Sequence, residues 1–127
     1  MSGETSQVDA LNDSILLCIR KMIGPGGDHD FFDTDYVIHI NSVIAILRQM
    51  GIGPKRGYSI TGSSDTWADY LGDNAELLDP VKTYIYLKVK KIFDPPASGT
   101  MASAMDNLIS ELEWRLNVTV DPGEQSV

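Results

Sequence analysis

Asp28, His29, Asp30, Asp33 and Asp35 crowd one short stretch of this chain with oxygen and imidazole donors, the side chains that hold a cation. Their spacing does not follow a calcium loop, which needs a glycine at its sixth position and a glutamate at its twelfth, so no metal ligand is assigned. His29 and His39 are the only imidazoles, and they form neither an H-E-x-x-H motif nor a pair at ligand spacing. Gly24-Pro25-Gly26-Gly27 offers backbone N–H groups of the kind that cradle phosphate. A phosphate loop follows a strand and opens a helix, however, and this one stands where a helix must stop. No G-x-S-x-G elbow marks any of the serines as a nucleophile. Cys18 is the only cysteine, which excludes an intrachain disulfide and a thiolate cage; between Leu17 and Ile19 it reads as a small core residue. No catalytic, cofactor-binding or metal-binding residue is assigned, and the chain is not expected to be an enzyme.

The residues with chemistry left over are of another kind. Lys82, Lys88, Lys90 and Lys91 supply four of the ten basic side chains within ten positions. They can meet nucleic acid, an acidic patch on another copy, or solvent. Trp114 falls among Ser103, Asn107 and Ser110 when the surrounding residues are wound at helical spacing, on the side opposite the apolar stripe. It reads as an interface anchor, tryptophan being enriched at binding hot spots, or as a side chain packed under a loop or the C-terminal segment.

Composition limits the function classes. A chain of 127 residues suits one domain with one core. A net charge of −8 and a pI near 4.5 disfavour a surface whose task is to neutralise phosphates. No apolar run approaches the ~18 residues that would span a bilayer, so no membrane role is expected. The N-terminus lacks a basic segment followed by an apolar core, so no secretory signal is expected and synthesis is placed in a cytosol.

The elements that must carry these residues are helical. Ser6 with Asp9 caps a first helix over 7–23, in which Leu11, Ile15, Cys18, Ile19 and Met22 repeat at helical spacing, and Gly24 with Pro25 ends it in a left-handed cap. Asp33 caps a second helix reaching Met50, with Phe32 stapled on Val37. Its apolar surface is wide: Val37, Ile40, Ile44 and Leu47 on one face, Tyr36, Val43, Ile46 and Met50 on an adjoining one. Such width marks a central helix, or one buried by a neighbouring subunit too, which makes Tyr36, Val43, Ile46 and Met50 candidates for a subunit contact. A loop rich in glycine and hydroxyl groups follows, with a short helix over 64–71 held by Trp67 and Leu71. Asp79-Pro80 starts a fourth helix to Phe93, with Val81, Ile85, Val89 and Ile92 inward and Tyr84 widening the stripe. Pro95 and Pro96 break it. Ser98 or Thr100 caps a fifth helix to Leu116, striped by Met101, Met105, Leu108, Leu112 and Leu116, with Ile109 at the edge. Val118, Thr119 and Val120 favour a strand, and the end from Asp121 reads as disordered in isolation. The expected fold is all-α: a small bundle of about four main helices and one short one over 7–117, a flexible N-terminus over 1–6 and an extended tail over 118–127.

The segments FDTDYVIHINSVIAILRQMGIGP, TWADYL, VKTYIYLKVKKIFDPP and AMDNLISELEWRLNV, in that order, resemble the head-tail connector (adaptor) proteins of tailed bacteriophages, of siphophages and related prophages. The similarity covers about residues 10–120. The resemblance implies a helical bundle that assembles as a homo-oligomeric ring, expected to be a dodecamer, on the portal protein in the virion neck. Such a ring extends the DNA channel, passes DNA without sequence-specific binding, and offers a platform to a stopper or tail-completion protein. It also implies that the C-terminal segment reaches the portal, here Val118, Thr119, Val120, Asp121 and Pro122, by adding a strand to an exposed edge. The alternative from another class is a DNA-contacting packaging component, such as a small terminase-like helical subunit working through the lysines.

Overall fold

Ser14, rather than a residue near the start of the chain, begins the first long helix of the computed structural model, which describes residues 9–24 and 31–125. Its Oγ accepts the Leu17 N–H at 3.2 Å, and α1 runs Ile15–Ile23. The helix expected to run unbroken from residue 7 is interrupted instead: residues 9 and 10 are helical, Leu11 to Ser14 are not, and residues 1–8, with the Ser6 cap and the flexible N-terminus expected there, lie outside the described residues. The Ile15 N–H donates to the Asp65 carbonyl (3.0 Å), Trp67 to Asp13 (3.2 Å) and Ala68 to Leu11 (2.7 Å). Those bonds use the Ile15 N–H and the Leu11 and Asp13 carbonyls, groups that a continuous helix would pair internally, so the break at Leu11 to Ser14 is held by pairing with a distant segment. Gly24 ends α1 in an extended conformation (φ −168°), not the left-handed cap expected of it. The buried stripe is Ile15, Leu16, Ile19 and Ile23; Met22 is exposed and Cys18 half-buried.

Helix α2, Asp33–Gln49, starts with no side-chain cap. The Asp33 carboxylate turns instead to Arg20 of α1, whose guanidinium donates to both oxygens at 2.7 and 2.9 Å. This two-pronged pair pins α1 to α2. Phe32 approaches Phe93 at the end of the fourth helix (ring centroids 6.5 Å apart).

The connection after α2 contains no strand, yet it is held closely. Asn41, halfway along α2, donates to the Ile60 carbonyl at 3.0 Å and accepts the Ile60 N–H at 2.7 Å, which carries Ile60 into the core. Asp65 accepts the backbone N–H groups of Thr61 (2.7 Å) and Gly62 (3.2 Å). Gly53, at φ +92°, passes so close to Tyr70 that an added Cβ would lie 2.7 Å from its ring. Thr66 and Asp69 form a reciprocal capping box on the short helix α3, Trp67–Leu71. Trp67 and Tyr70 are the plugs, with Leu71 only half-buried.

A 3-10 turn at Ala75–Leu77 runs into α4, Leu78–Phe93, so that Asp79 and Pro80 sit inside the first turn rather than bounding it. Proline costs nothing there, because first-turn N–H groups have no intrahelical acceptor. Helix α4 is the hub, packed on α1, α2 and α5. Leu78, Val81, Tyr84, Ile85, Leu87 and Val89 are buried, while Ile92, expected inside, is 54% exposed. The last helix, α5, spans Gly99–Gln125, and Ser98 caps it by accepting the Met101 N–H at 3.1 Å.

The result is the expected all-α bundle of four longer helices and one short one, with no strand among the described residues. The expected extended tail is corrected: residues 118 to 125 continue α5. Strand propensity at Val118, Thr119 and Val120 is worth only tenths of a kcal/mol per residue, while each residue added to an existing helix gains a hydrogen bond. Residues 126 and 127, and the cluster Asp28, His29 and Asp30, lie outside the described residues. No helix among the described residues is long and apolar enough to cross a membrane.

Candidate subunit and partner interface

Helix α5 is the outlying element. It packs chiefly on α4, antiparallel to it, through buried Ile109 and Leu116 and half-buried Met105 and Leu112. Two polar contacts fix the register: the Tyr84 hydroxyl donates to Glu113 at 2.8 Å, and Lys91 meets Asp106 at 2.7 Å. Burial, the bond to Glu113 and that carboxylate's charge all push the Tyr84 phenol above its ordinary pKa, so it stays a neutral donor. At ~1.5 Å per residue α5 is about 40 Å long against about 24 Å for α4, so its final turns overhang the bundle.

The outer face of α5 presents Trp114, 67% exposed, and Val118 one turn beyond. Trp114 therefore packs under no described loop or tail. The stripe expected to face inward is rotated: Met101 (62% exposed) and Leu108 face outward, and Ile109, expected at the edge, is buried.

The lysine group is largely answered within the chain. Lys90 pairs with Asp94 at 2.8 Å and Lys91 with Asp106. The Asp94 carboxylate also raises the pKa of Lys90. Lys82 Nζ lies 5.8 Å from the Trp67 ring centroid and Lys88 Nζ 5.9 Å from that of Tyr84, within cation–π range. The second-helix candidates divide similarly. Tyr36 and Val43 are buried in the chain's own core, Tyr36 stacked on Phe93 at 4.3 Å between centroids, whereas Ile46 and Met50 are half-buried at its margin. His39 stands edge-on to Phe93 at 5.4 Å, and no group of three or more metal-ligating side chains occurs among the described residues.

One feature was not read from the sequence. Where α4 turns into α5, Leu87, Pro95, Pro96, Met101, Met105 and Leu108 wall an open groove of about 610 Å³, with Lys90 and Asp94 on its rim. The Pro-Pro corner and the paired methionines were its only local signal. Whether they line a groove or close up depends on how far α5 rolls on α4.

A family model described as phage connector protein matches residues 15–123. No curated protein and no solved structure matches the chain. That match runs from the first residue of α1 to within two residues of the end of α5, and it agrees with the connector-like segments noted along the sequence. The chain belongs to the phage connector protein family.

Proposed function

We propose that this connector is a structural neck protein that forms a homo-oligomeric ring, a dodecamer, on the portal, prolongs the DNA channel and presents a docking platform to a stopper or tail-completion protein. The observation that carries the reading is the family match across α1 to α4 and nearly all of α5. The outer surface of α5 supports it: an exposed indole on a helix that overhangs its own bundle suits contact with other chains. The net charge of −8 suits a channel that must let DNA slide rather than grip it. The overhang carries the portal-docking role, through Val118, Thr119, Val120, Asp121 and Pro122. Because their backbone lies in a helix, and Pro122 has no N–H to give a sheet, docking is by a helix against a groove and not by strand addition.

Co-sedimentation of the full chain with its cognate portal, followed by electron microscopy, tests the proposal. A ring seated on the portal is expected, and truncation after Leu116 abolishes seating while leaving the helical circular-dichroism signal of the bundle. Failure of the full chain to bind portal refutes the reading. Affinity for duplex DNA that falls steeply with salt would replace it with a packaging role.

A further inference from the structure

We infer that Trp114 of one copy seats in the groove at the Pro95-Pro96 corner of a second copy, joining chains head to tail through two different faces of the α4–α5 pair. The inference deepens the proposed ring and rests on that reading. An indole buries roughly 150–250 Å² when it is covered, and here it stands 67% exposed. The groove is chemically fitted to it: Met101 and Met105 offer thioether sulfur to an aromatic edge, while Pro95, Pro96 and Leu108 offer apolar walls.

Trp114 cannot fill the groove of its own chain. It follows Ala104, on the groove wall, by ten residues, about 15 Å along a rigid helix, and it points about 120° away from Leu108. A second copy satisfies both surfaces at once. Its charges fit as well. The groove rim carries the pair Lys90 and Asp94, and the indole is flanked by the pair Glu111 and Arg115, 2.6 Å apart. Each base can therefore meet an acid of the other copy, while the centre of the contact is uncharged, as molecules of net charge −8 require if they are to approach closely. Two unlike patches leave one of each unfilled after every addition, so association continues until a ring closes.

Sedimentation velocity at rising concentration, on full-length wild type, Trp114→Ala and Ala104→Glu, tests this. Ala104 is exposed on the groove wall, and unchanged circular dichroism certifies the fold of each variant. Wild type should grow beyond a dimer, and each variant alone should need at least about tenfold more protein to associate. An equimolar mixture should form a one-to-one dimer and stop, since one variant keeps the groove and the other keeps the indole. Trp114→Ala assembling like wild type, a mixture that stays monomeric, or wild type that stays monomeric overturns the inference. Co-sedimentation of wild type with portal judges the connector reading separately, because it is scored by binding and not by contact through the groove.

Discussion

Replacing Leu116 with alanine should make α5 open from the bundle about a hundred times more often while leaving the rest folded. The helix rests chiefly on α4, and only Ile109 and Leu116 of its described side chains are buried. Burying each is worth about 1.5–3 kcal/mol, and the Tyr84–Glu113 bond adds about 1 kcal/mol, so docking amounts to roughly 5 kcal/mol. Leu116 is 1% exposed, and its truncation, with the cavity left behind, costs about 3 kcal/mol. That leaves about 2 kcal/mol, and at ~1.4 kcal/mol per decade the open population rises about a hundredfold, to a few per cent. Native-state hydrogen exchange reads this directly. Amides from Met105 to Thr119 should lose about two orders of magnitude of protection, and those of Ile40 to Leu47 in α2 should keep theirs. Leu108→Ala, at a position 44% exposed, is the control and should cost less than about 1 kcal/mol. Equal loss of protection in α2 and α5 would refute the reasoning, since α5 would then be no separately opening unit.

Asn41→Ala should cost about 2–3 kcal/mol in urea unfolding, because it strips both partners from the buried Ile60 backbone; a loss under ~0.5 kcal/mol would mean that water replaces them. Gly53→Ala should destabilise more than Gly72→Ala in a thermal melt. Both have positive φ, but only at Gly53 does the new Cβ meet Tyr70, at 2.7 Å, so equal losses would show that backbone strain alone matters. Asp65 tests acid sensitivity. Hydrogen bonds, first from the Thr61 N–H and then from Gly62 and the Thr61 hydroxyl, hold its pKa below the ordinary value of 3.8 against the opposing effect of burial. A depressed folded-state pKa gives stability that is fully present above the unfolded pKa and lost as pH falls through the folded one. Asp65→Asn should therefore be less stable than wild type near neutrality and lose less on acidification below about pH 4; parallel pH profiles would refute this.

Much of the bundle was legible from local signals. Apolar spacing of three and four, together with Gly24, Pro95 and Pro96, placed four long helices and the corner between the last two, because periodicity and chain breakers act within one turn of backbone. The errors cluster where distant chain intervenes. Ser14 took over the start of α1 because Asp65, Trp67 and Ala68 pair with the residues beside it. Asp33 gave up its capping role for Arg20, thirteen residues earlier.

By itself, the sequence determined that this is an acidic, all-helical connector chain with no catalytic motif, whose Trp114 lies off the core stripe. The tertiary structure decided what each surface has to spare. It matched Lys90 and Lys91 with Asp94 and Asp106, buried Tyr36 and Val43, and rolled α5 so that Met101 and Leu108 face a groove. The physical reason is that helical spacing fixes which residues share a face, whereas the partner of that face is set by packing between segments far apart in the chain.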